Sequence, residues 1–114
     1  MFPGFDAAIL ATSLWMAADG PPTFNVEKNC GTIASRVASA AEFEACMSLE
    51  RSARDQLVKE WAQFAPADRS HCLQLSTLGG DPTYTELLTC LELERDARKL
   101  REEKERGAAR QGQR

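Results

Sequence analysis

Apolar residues recur along this chain at helical intervals, and no segment alternates with the two-residue period of a strand. Phe43, Cys46, Met47, Ala53, Leu57, Trp61 and Phe64 predict one long helix over residues 39–64. Leu87, Cys90, Leu91, Leu93, Ala97 and Leu100 predict a second, with these side chains turned inward. Two shorter helices precede them: Val26–Val37, with Cys30, Ile33 and Val37 inward, and Pro66–Leu78, with Cys72, Leu75 and Leu78 inward. The polar positions punctuate the same scheme. Ser39 with Glu42 and Thr83 with Glu86 have the spacing of capping boxes, in which the hydroxyl serves the third backbone amide of the helix. Pro66 suits a first helical turn, where no amide donor is missed. Gly79-Gly80 and Pro82 end one helix before the next begins. The predicted class is all-α.

The pattern repeats. An offset of 44 residues lays Cys90 on Cys46, Leu93-Glu94-Arg95 on Leu49-Glu50-Arg51, and Ala97-Arg98 on Ala53-Arg54. The first cysteines of the two halves, Cys30 and Cys72, are 42 apart, so the second unit has gained two residues, which fall at Gly79-Gly80. Two tandem copies of a unit, short helix, turn and long capped helix, therefore make up the domain.

Geometry separates the ways of pairing the four cysteines. In an antiparallel hairpin, residues equally far from the turn lie level. Cys30 is about 10 Å along its helix from Val37, and Cys46 is about 10 Å beyond Ser39, at 1.5 Å per residue. Cys72 and Cys90 stand about 9 and 10 Å from their own turn. Cys46 to Cys72 fails, because the chain climbs about 27 Å to Phe64 and returns only about 9 Å, whereas bridged Cα atoms lie within about 7 Å. Cys30–Cys46 with Cys72–Cys90 is expected; Cys30–Cys72 with Cys46–Cys90 is the weaker alternative. The spacing C-x15-C-x25-C-x17-C contains no C-x-x-C pair, which speaks against a thioredoxin-like centre and against a zinc knuckle.

The amino-terminal segment bears on compartment. Residues 7–18 (AAILATSLWMAA) are the one sustained apolar stretch, too short for a membrane span and suited to the apolar region of a secretory signal. Asp6 and the absence of a preceding Lys or Arg depart from that pattern, and a first amphipathic helix with Ile9, Leu10, Leu14 and Trp15 on its face is the other reading. The division expected is 1–19 as signal or apolar helix, 20–100 as the four-cysteine domain, and 101–114 as a charged extension. Its helix should end near Arg106 and give way to a disordered tail.

Composition narrows the partners. The chain has 114 residues, 14 Lys plus Arg against 17 Asp plus Glu, and a formal charge of -3. That is one small domain, without the cationic surplus that displaces phosphate counterions in nucleic-acid binding. An even number of cysteines in so short a chain points to a disulfide framework in an oxidising compartment.

The stretch AQFAPADRSHCLQLSTLGGDPTYTELLTCLELERDAR, with the repeated unit around it, resembles a group of small exported four-cysteine proteins of alphaproteobacteria. The matching features are Trp61 and Phe64 closing the first long helix, Leu78-Gly79-Gly80 before the second, and Tyr84 to Leu91. The resemblance spans roughly residues 25–100 and implies a signal peptide, an exported location and no assigned activity. A looser likeness of design exists to coiled-coil-helix-coiled-coil-helix proteins, whose cysteines are spaced differently.

Candidate sites are few. His71 is the single histidine; it neighbours Cys72 in sequence but points about 100° away on a helix, so an exposed side chain is expected. Glu50-Arg54 and Glu94-Arg98 have the spacing of solvated i,i+4 ion pairs. Trp61, Phe64, Phe43 and Tyr84 read as packing residues. With one histidine and no nucleophile set, phosphate loop or paired carboxylates, no catalytic residue, cofactor or metal site is expected. The expected role is a non-enzymatic structural or interaction module, periplasmic or secreted, with an unknown protein partner in the cell envelope. The alternative is a thiol-redox or metal-handling protein using Cys30, Cys46, Cys72 and Cys90.

Overall fold

The structure, a computed structural model, describes residues 20–37 and 39–112, leaving out the side chains of residues 33–37. The apolar segment 7–18, the inward placement expected of Ile33 and Val37, and the last two residues lie outside the described residues. Four helices follow in order: α1 (Val26–Val37), α2 (Ala40–Glu60), α3 (Pro66–Leu78) and α4 (Tyr84–Gly112), with a 3₁₀ turn at Trp61–Gln63 after α2. No strand occurs among the described residues.

Local chemistry sets the boundaries. Ser39 is extended, at φ -126°, and its Oγ accepts from the Glu42 amide at 3.2 Å. Thr83 Oγ1 accepts from the Glu86 amide at 3.1 Å in the same way. Each hydroxyl satisfies a donor that the first helical turn leaves without an intrahelical partner. Phe64 is extended, and Pro66 then opens α3 within its first turn. At the far end Gly80 takes φ 120°, a conformation that strains any residue with a Cβ, and the chain turns back there.

The hairpins assemble in a definite order. Cys30–Cys46 and Cys72–Cys90 are both bonded, with Cα atoms 5.6 and 5.7 Å apart, so α1 is clipped to α2 and α3 to α4. Within each hairpin the helices are antiparallel. Between the hairpins α2 packs on α4, and these two run parallel: Glu50 meets Tyr84 and Thr85, and ten residues on Glu60 meets Arg95. Partners across this seam are 34 or 35 residues apart, whereas the sequence repeat is 44. The second hairpin is therefore displaced along the first, by about 14 Å at 1.5 Å per residue.

That displacement explains which residues are buried. Ala53, Leu57 and Trp61 on the carboxyl half of α2 meet Tyr84, Leu87, Leu88 and Leu91 on the amino half of α4, with Phe64 and Cys72 closing the core. The repeat equivalents of Ala53, Leu57 and Trp61 are Ala97, Arg101 and Glu105, and Arg101 and Glu105 are exposed. Duplicated sequence thus serves two different faces.

Several expectations are corrected. Leu93 is 64% exposed and Leu100 65%. Two residues apart on a helix is about 200°, so Leu91 and Leu93 cannot face one core together. The inward stripe of α4 continues from Leu91 to Arg95 and Arg98 instead. Leu75 and Leu78 are likewise exposed; the inward positions of α3 are Asp68, Cys72 and Ser76. The helix does not stop near Arg106. α4 runs to Gly112, every residue exposed from Lys99 onward, and the expected disorder at residues 107–112 is helix.

Candidate functional site

Two polar clusters and two grooves are built on this frame. The first cluster is at the start of α4. Glu50, 5% exposed, accepts the Tyr84 amide at 2.8 Å through Oε2. Its Oε1 accepts the Thr85 amide and the Thr85 hydroxyl. A carboxylate borrowed from α2 thereby caps α4, where the helix presents free amides and the positive end of its dipole. The Tyr84 hydroxyl accepts from the Phe24 amide at 2.8 Å, and the two rings lie 4.9 Å apart. The segment before α1 is so tied to the second hairpin.

The second cluster closes the other end of the seam. Arg95 donates to Glu60 at 2.7 Å and sits over the Phe64 ring at 4.9 Å. Arg98 engages both carboxylate oxygens of Asp68, at 2.8 and 3.2 Å. Arg69 lies over the Trp61 ring at 5.5 Å. The long arginine stems cover apolar core while their heads meet acids. Hydrogen bonding from Arg95, helped by Gln56, holds the Glu60 carboxyl below its usual range.

These contacts replace the ion pairs expected from sequence. Glu50 is turned to Tyr84 and Thr85, and Arg54 lies exposed. Arg98 is taken by Asp68, a partner with a full bidentate fork, and Glu94 contributes only a weak field to it. The i,i+4 spacing was present, but a partner on another helix offered shielding from water that a surface neighbour does not. Sequence reasoning missed the roles of Glu50, Glu60 and Asp68. Each has its partner 30 or more residues away, beyond any local pattern.

Other residues fall as expected. His71 is exposed. Trp61, Phe64 and Tyr84 are buried, and Phe43 is half-buried. All four cysteines are bonded, and among the described residues no three His, Cys, Asp or Glu side chains are grouped to hold a metal ion. Within each bridge one half is sealed and the other half-exposed: Cys30 and Cys72 have no exposure, while Cys46 and Cys90 are intermediate.

The half-exposed cysteines line two open grooves. One, about 460 Å³, lies between the first hairpin and the start of α4; its wall includes Glu42, Cys46 and Leu49. The other, about 470 Å³, lies between α3 and α4; its wall includes Glu86, Cys90 and Leu93, with Leu75 opposite. Glu42, Cys46 and Leu49 are the repeat equivalents of Glu86, Cys90 and Leu93, so one wall of each groove uses the same positions of the repeat, while the start of α4 closes the first and α3 the second. They adjoin, because Thr85 and Glu86 line both.

No family model matches the chain, and no curated protein or solved structure matches it either. The fold and site together define a class by their own features: an all-α protein of two tandem disulfide-clipped hairpins with a duplicated groove. No described helix is long and apolar enough to cross a membrane, and the two disulfides fit an oxidising compartment.

Proposed function

We propose that this chain is a small exported, non-enzymatic interaction module that holds its paired grooves rigidly and presents them to another protein. The duplicated groove is the observation that carries the reading. Each copy leaves a leucine in water at the same position, Leu49 at 66% and Leu93 at 64% exposure, where a solvated face is served equally well by polar residues. A core clipped twice gives such a face a fixed shape. The paired cystines and the resemblance to small exported four-cysteine proteins support a periplasmic or secreted location.

Two measurements on protein recovered from its native compartment test this. Alkylation and intact mass should find no free thiol; four titratable thiols would remove the exported reading. Site-specific crosslinking from Ala45 or Thr89, which line the grooves beside these leucines, should trap a partner in the envelope of living cells, and the Leu49→Glu/Leu93→Glu double variant should lose it. Trapping unchanged in that variant would remove the interaction reading.

A further inference from the structure

The rims of the two grooves carry charge of one sign. Glu42, Glu86 and Glu94 stand around them, and none of the three enters any of the ion pairs seen among the described residues. Arg98, one helical turn beyond Glu94, is already held by Asp68 on both oxygens. The groove walls are apolar, with Leu49, Leu93 and Leu75 exposed at 66, 64 and 46%. We infer that the paired grooves dock a basic amphipathic helix or strand of another protein, its apolar side chains seated on these leucines and its Lys or Arg residues meeting Glu42, Glu86 and Glu94. This rests on the interaction reading above and names the chemistry of its partner.

Charge distinguishes that occupant from segments of the chain itself. The apolar residues 7–18 are flanked by Asp6 and Asp19, of the same sign as the rim. The basic residues 106–114 carry three arginines but only Ala108 and Ala109 as apolar side chains, too small to anchor on leucine. Neither offers both halves of the complement. An incoming basic segment does, and apolar anchoring with a rim of opposite charge is the usual division between affinity and orientation at such a surface.

The test uses the full chain and a synthetic amphipathic peptide with leucines along one face and lysines flanking them, beside an analogue with every lysine replaced by glutamate. Titration followed by NMR should shift the signals of Leu49, Leu75 and Leu93, with affinity falling as ionic strength rises. The Leu49→Glu/Leu93→Glu variant should bind about tenfold or more weakly, as should Glu42→Gln/Glu86→Gln/Glu94→Gln, a loss of at least about 1.4 kcal/mol in each case. Glutamine leaves the backbone amides of residues 42 and 86 free to donate to the Ser39 and Thr83 hydroxyls as before, and unchanged thermal midpoints would verify folding. Equal binding of the glutamate analogue, or of the triple glutamine variant, would overturn the proposal. So would self-association that the leucine variant abolishes, which makes a second copy the occupant, or a crosslink from Trp15 to Leu49 or Leu93, which makes it the chain's own segment. If the peptide fails while the leucine variant still loses its partner in cells, the basic occupant is wrong and the interaction reading stands.

Discussion

The Glu50 carboxylate on α2 accepts the backbone amide of Tyr84, 34 residues later, at 2.8 Å. One side chain thus ends the solvation problem of another helix and fixes how far the second hairpin is displaced along the first. Its repeat twin Glu94 is half-exposed and has no such task. Replacing Glu50 with Ala leaves the Tyr84 and Thr85 amides without their acceptor, at a cost of about 2 kcal/mol. In a domain of this size that lowers the melting temperature by about 10 °C. Glu94→Ala should stay within about 0.5 kcal/mol of the parent. Thermal unfolding of the two variants side by side checks the contrast.

The Glu60–Arg95 pair predicts an acid limb. Its carboxyl is held below the ordinary 4.5 by hydrogen bonding from Arg95. A carboxyl whose pKa is lower folded than unfolded stabilises the fold fully above the unfolded value. That contribution fades as pH falls from 4.5 through the lowered folded value. Side chains 21 and 26% exposed screen less than the outer Lys28–Asp81 pair at 71 and 57%. Glu60→Gln should therefore flatten the fall of denaturation midpoint below pH 4.5.

Helix direction and position were largely legible in the sequence, because capping hydroxyls, Pro66 and Gly79-Gly80 act within a few residues of themselves. The disulfide pairing was legible for the same reason: it follows from rise per residue and one turn. The seam between hairpins was not. A 44-residue repeat suggests equivalent faces, and nothing local says that one unit slides along the other until Leu57 and Leu91 share a core. Once it slides, Arg95 and Arg98 inherit inward positions that their charge appeared to forbid. The doubled groove was half legible: the recurrence of Glu42, Cys46 and Leu49 as Glu86, Cys90 and Leu93 is plain in the letters, but exposure of both leucines follows only from the packing.

Core and groove leucines should respond very unequally to truncation. Leu57 has no exposure and lies at the centre of the seam. Leu57→Ala should cost about 3 kcal/mol through lost burial and the cavity left behind. Leu49→Ala should cost under about 0.5 kcal/mol. Urea midpoints with unchanged slope would report both.

Reduction should begin at the exposed half of each cystine. Cys46 and Cys90 line the grooves, so a small thiol attacks there and expels the thiolate of Cys30 or Cys72 into a fully buried site. Limited reduction with quick alkylation and mass mapping should first find Cys46 or Cys90 joined to the added thiol. Removing either bridge by paired Cys→Ala substitution should cost about 3 kcal/mol.

Both cystines close a loop inside one hairpin, and neither stitches the hairpins together. A protease cut between Trp61 and Pro66 would leave two separately ringed fragments, held together by non-covalent contacts along α2 and α4 and by the tie from Phe24 to Tyr84. Such halves, made apart and mixed, should rebuild the molecule, a result that the return of cooperative unfolding would report. By the same reasoning, two neighbouring copies could trade second hairpins without breaking a single covalent bond.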